Sequence, residues 1–175
     1  FEGKCEPVSN MTQCALLDPN TDRVTANSGT NLVNFLRGQS QHEDGIYRDR
    51  LWVLGDTVNA VPLYVAQPRF AFADRVTLQY AAWRARSDIS GRTPALYVGA
   101  NDGQLHAFNA DTGEELWALI PRQLAPGLWN LAARTYATRH KYYVDGSPTA
   151  MDVWDGASGR TFLVGALGGG GRGFY

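Results

Sequence analysis

Few residues of this chain have the types and spacing that chemistry requires, and most of those have a simpler structural use. Asp102 and Asp145 could form a carboxylate pair for general acid–base work. Each, however, stands directly before a glycine, in Asp102-Gly103 and Asp145-Gly146, and Asp-Gly is ordinary turn chemistry. His42, His106 and His140 are the histidines. His106 sits in Leu105-His106-Ala107-Phe108, where strand alternation turns it away from Leu105 and Ala107. No other ligand stands at metal-binding spacing, so His106 is read as a structural residue that hydrogen-bonds into an adjacent blade. The run Gly168–Gly171, followed by Arg172-Gly173, suggests a phosphate loop but lacks the Lys-Ser/Thr and helix that such a loop needs. Cys5 and Cys14, close together in a Pro/Ser/Asn-rich segment without a histidine, are read as a loop-closing disulfide of an oxidising compartment. No catalytic residue and no metal ligand is assigned, and the binding residues are unknown.

The elements around these residues are mostly strands. Ala95–Trp117 reads ALYVGANDGQLHAFNADTGEELW. Asn101-Asp102-Gly103 is a tight turn between alternating apolar runs, and Asp111-Thr112-Gly113 punctuates the next turn. Strands are expected near 95–98, 105–109 and 116–120, with a shorter one at 62–65. The β region is expected to open at Tyr47–Asp56, and further strands fall at 142–153 and 160–167. Helices are expected at 27–37, where Leu32, Phe35 and Leu36 share a face and Gly38 ends the pattern, and at 73–86. Helical turns are expected within 121–133.

Composition agrees with a turn-dense β protein. The chain has 175 residues, with 19 Gly, 8 Tyr, 7 Phe and 5 Trp, and Lys4 and Lys141 are its lysines. A net charge of −1 gives no basic surplus for nucleic acid. No apolar run approaches the roughly 18 residues that span a bilayer.

Pro62-Leu63-Tyr64-Val65 and Pro148-Thr149-Ala150-Met151 both read as first strands of a propeller blade, 86 positions apart. A plain blade takes about 40–50 residues, and the helical insertions account for the excess. The fold class is therefore mainly β: a partial β-propeller of about one and a half blades with short helical insertions. Residues 1–46 form an irregular, helical lead-in and residues 47–175 an incomplete propeller. So few blades leave apolar faces open, which predicts a piece of a longer protein.

Four blocks resemble the PilY/PilC family of type IV pilus tip-associated adhesins and assembly factors. They are Arg48–Pro68, Tyr97–Pro121, Lys141–Trp154 and Thr161–Tyr175. The resemblance implies a non-enzymatic protein of the bacterial cell surface or pilus tip, in the outer membrane or in transit through the periplasm. It implies opposition to pilus retraction, twitching and attachment. The implied partners are pilins or minor pilins, a host or abiotic surface, and the remainder of the same propeller, with no nucleic acid. Some members bind calcium through alternating aspartates. Asp152-Val153-Trp154-Asp155-Gly156 lacks that alternation, so no cofactor is expected within this segment and calcium would lie elsewhere in a full-length relative. The same hairpin resembles repeats of quinone-dependent dehydrogenases, which is the alternative reading.

Overall fold

A computed structural model describes residues 29–74, 79–154 and 158–175. The chain divides into two compact units, Phe1–Gly55 with Arg122–Lys141, and Asp56–Pro121 with Tyr142–Tyr175. Residues 47–55 and 122–141 group with the lead-in.

In the first unit, Gly29–Leu36 is an α-helix that buries Leu32, Phe35 and Leu36. Gly38 closes it with φ at +93°, the left-handed geometry that glycine adopts without strain. A shorter helix, Trp129–Ala132, buries Leu131 and Ala132. The stretch after Tyr47, expected to open the β region, forms no strand, and the reason is where its donors go. Arg48 N–H donates to Ala132 O at 3.0 Å and its Nε to Leu131 O at 2.5 Å. Arg50 donates through Nη1 to Phe35 O at 2.7 Å and through Nη2 to Gln39 O at 3.1 Å. Phe35, Leu131 and Ala132 lie in the last turns of their helices, whose carbonyls have no partner within the helix and attract cations, while Gln39 lies in the loop after Leu36.

Arg50 is the centre of this unit. Its side chain is only 5% exposed, pairs with Glu43 at 2.5 Å, and lies 3.6 Å above the Phe35 ring. Lysine keeps the charge but has neither the planar fork nor the stacking face. Arg50→Lys is expected to cost about 2–3 kcal/mol by losing the forked pairing with Glu43 and the bonds to Phe35 O and Gln39 O. Urea unfolding of the variant checks this, and a change below about 0.5 kcal/mol would count against the role.

The second unit is a β structure. Strands β1 (Leu63–Val65), β2 (Ala95–Gly99), β3 (Leu105–Asn109) and β4 (Glu115–Leu119) form one antiparallel sheet in the order β1-β2-β3-β4. A second sheet pairs β5 (Thr149–Trp154) with β6 (Gly159–Val164). Beyond β6, Ala166 bridges Phe174, and Gly165 and Tyr175 exchange both backbone hydrogen bonds. The sequence rhythm predicts β1 to β4 and β6 to within a few residues. The first sheet is complete by Leu119, without the residues 122–141 that the repeat length assigns to it.

Of the helix expected at 73–86, residues 75–78 lie outside the described residues. The described helix runs Tyr80–Ala85 and is followed by Ser87–Ser90, with Arg86 at the extended ψ of 141° between them. Tyr80 and Trp83 face inward. The Trp83 indole lies flush against the Gly159 backbone, where any Cβ would strike the ring, and is 6.2 Å from Trp154. The expected 142–153 strand begins only at Thr149, because backbone groups before Pro148 are taken up by loop contacts. Among the described residues, no helix is long and apolar enough to cross a membrane.

Candidate functional site

Asn101, Asp102, His106 and Asp145 all fall in the second unit, where they build three polar nodes, while His42 and His140 fall in the first. Asp145 is 2% exposed. Its carboxylate accepts from Asn59 N at 3.1 Å, Asn59 Nδ2 at 2.7 Å and Gly169 N at 3.2 Å. Its own N–H donates to Leu167 O. The turn reading of Asp145-Gly146 is therefore too small. Asp145 ties the loop before β1 and the glycine run after β6 to the loop before β5. Gly146 stands so close to Ala166 O that a Cβ would overlap that oxygen. The glycine run forms a 3-10 turn at Gly168–Gly170 that wraps Asp145 and Tyr143, so its purpose is close backbone approach.

Asn101 makes a second node. It is 1% exposed, and its N–H and Nδ2 donate to Asp56 O at 2.9 Å and Asp56 Oδ2 at 3.2 Å. Its Oδ1 accepts from Tyr143 N at 3.0 Å. In both sheets, then, an aspartate ahead of the first strand bonds the loop that follows the second strand. Asp56 does so in the first sheet and Asp145 in the second.

The third node is His106, 4% exposed on β3. Nε2 is 3.0 Å from Asp102 Oδ2, and Nδ1 is 2.5 Å from Glu115 Oε1. The expected partner in an adjacent blade is replaced by two carboxylates of its own sheet. Burial alone would lower the imidazole pKa. Hydrogen bonding and charge from Asp102 and Glu115 overcome that and raise it above the ordinary 6.5. Asp102 also accepts from Gln104 N at 3.1 Å, which fastens the turn. Gly103, with φ at +90°, completes that turn.

The other turn residues are exposed. Asp111 N–H donates to Asn109 Oδ1, and Gly113 at φ +77° donates to Asn109 O. Cys5 and Cys14 lie outside the described residues. Among the described residues, no group of three or more His, Cys, Asp or Glu is placed to hold a metal ion. Sequence reading missed Asn59 and Glu115. Asn59 lies far from Asp145 along the chain, and Glu115 is brought in by a register shift that no local pattern announces.

Around these nodes the sheets leave apolar surface uncovered. Every residue of β4 is exposed. On the second sheet, Met151 opposes Phe162 and Thr149 opposes Val164, and all four are exposed. A cleft of about 340 Å³ runs between the sheets, lined by Tyr97, Leu105, Trp117, Leu119, Leu163 and Tyr175 among others.

A four-stranded antiparallel blade followed by the inner strands of a second sheet, both with apolar faces, defines a β-propeller protein. The family model described as the PilY1 beta-propeller domain matches residues 54–175. A type IV pilus biogenesis factor PilY1 homolog of Xylella fastidiosa is 40% identical over 158 residues, covering 86% of this chain and 13% of the relative. Type IV pilus biogenesis factor PilY1 of Pseudomonas aeruginosa is 36% identical over 163 residues, covering 90% of this chain and 14% of the relative. The chain belongs to the PilY1 β-propeller family and spans about one seventh of the length of these curated relatives. No solved structure matches it.

Proposed function

We propose that this chain is a propeller segment of a type IV pilus biogenesis factor and acts by contact, not by catalysis. The observation that carries the reading is the family match over residues 54–175, which coincides with the blade and the sheet that follows it. The relatives are named as pilus biogenesis factors, the class that the sequence resemblance favours over a quinone-dependent dehydrogenase. The three polar nodes are taken up by holding strands and loops together, which suits a rigid scaffold.

In this reading the exposed faces of β4 and of the β5–β6 sheet meet further sheets of the same full-length propeller. The assembled propeller works at the bacterial surface or pilus tip. There it contacts pilins or minor pilins, opposes retraction, and supports twitching and attachment to host or abiotic surfaces. Any calcium site lies elsewhere in the full-length protein.

The test is an in-frame deletion of the codons for residues 56–175 in the bacterium that carries the gene, with complementation. Loss of surface pili and of twitching, restored by the intact gene, is the expected result. Normal piliation in the deletion strain, with the shortened protein present, would overturn the proposal. A dye-linked alcohol oxidation activity lost with the deletion would favour the dehydrogenase.

A further inference from the structure

The third node has a feature that the scaffold role does not require. Both nitrogens of His106 face carboxylate oxygens, Asp102 Oδ2 at 3.0 Å and Glu115 Oε1 at 2.5 Å. A neutral imidazole has one N–H and one lone pair, and an ionised carboxylate only accepts. One of the two contacts would then set lone pair against lone pair. Only the imidazolium, with two N–H donors, satisfies both carboxylates at once.

Glu115 reaches this position because of a bulge. From Leu105↔Leu119 through Ala107↔Trp117 the strands pair in regular register, but Phe108 pairs with Glu115, not with Leu116. Strand alternation puts Phe108 on the same face as His106, so the one-residue shift exchanges an apolar side chain for a carboxylate on that face. The Phe108 ring stacks on the imidazole at 5.8 Å, and Val98 and Ala118 stand opposite it on the neighbouring strands. The charged groups acting on His106 are therefore Asp102 from the β2–β3 turn and Glu115 from β4.

The geometry points to a proton-dependent latch: protonated His106 fastens the start of β4, through Glu115, to the β2–β3 turn, through Asp102, and loss of that proton releases β4. The side chain of Glu115 is 47% exposed while that of Asp102 is 12% exposed, so Glu115 is the partner that swings out to water. The folded pKa is raised, so the stabilisation is fully present below the ordinary 6.5 and is lost as pH climbs through the raised value. The latch closes in acid and opens in alkali, which would make the outermost strand of the blade responsive to external pH.

Hydrogen exchange of the whole 175-residue chain, corrected for the intrinsic pH dependence of exchange, tests this between about pH 6 and pH 9. Protection in the 110–120 peptide is expected to fall about tenfold across that range, the effect of losing one charged hydrogen bond. Glu115→Gln offers an amide that can donate to a neutral ring, so its protection should vary little with pH. Equal pH dependence in wild type and Glu115→Gln, or none in wild type, overturns the latch. Ring-nitrogen NMR of wild-type His106, assigned by backbone-to-ring correlation, decides the matter without a variant. Two protonated ring nitrogens with a titration above 6.5 support the latch, and a titration at or below that value overturns it.

Discussion

Asp145→Ala is expected to destabilise the β unit by about 3–5 kcal/mol, because removing the carboxylate breaks three hydrogen bonds to a charged acceptor. Two of the donors are backbone N–H groups, Asn59 N and Gly169 N, and the third is the Asn59 amide. Against a typical folding free energy of about 5–15 kcal/mol, such a loss is large. Asp145→Asn should fall between, since it keeps one acceptor but turns an NH2 toward other donors. Denaturant unfolding measures the cost, and amide exchange at Asn59 and Gly169 should accelerate before the rest of the unit opens. An alanine variant within about 1 kcal/mol of wild type would show that the node contributes little.

Gly170→Ala is expected to be at least as damaging, for steric reasons. A Cβ at this position would overlap the carbonyl oxygen of Tyr143, with Tyr143 Cα 2.6 Å away. Both are backbone atoms of a residue only 4% exposed, so no side-chain rotation relieves the clash. The Gly168–Gly170 turn would have to lift away, taking Gly169 N from Asp145. A cost of about 3 kcal/mol or more follows from overpacking plus the lost node. Gly113→Ala is the contrasting measurement. A Cβ there meets nothing within 4 Å, and only the φ of +77° resists it, so about 1 kcal/mol is expected. Similar losses at the two sites in thermal or urea unfolding would argue that backbone conformation, not close approach, sets the cost at Gly170.

These two variants also mark where local pattern stops being informative. The blade from Ala95 to Leu119 was readable because alternation and turn chemistry are local. Apolar residues two apart define a strand face, and Asp-Gly at a fixed offset defines where the chain reverses. The helix at Gly29–Leu36 was readable for the same reason, from Leu32, Phe35, Leu36 and a terminating glycine. The stretch after Tyr47 was not. Its residue types suit a strand, but Arg48 and Arg50 are claimed by helix-end carbonyls distant in the sequence. Asp145 was visible as a turn residue and invisible as a buried acceptor, because Asn59 and Gly169 reach it only after the chain has folded back.

By itself the sequence determined the class of this protein, its strand order and its likeness to the pilus biogenesis family. All three are recorded in short-range periodicity and in blocks of wording along the chain. Tertiary structure alone decided which polar residues are buried and what they bond. Asp145 became a node because loops from both sheets converge on it. Glu115 became a partner of His106 because one residue of register was gained in β4. Hydrogen-bond geometry depends on distances of a few tenths of an ångström between segments remote in sequence, and no local pattern encodes those distances.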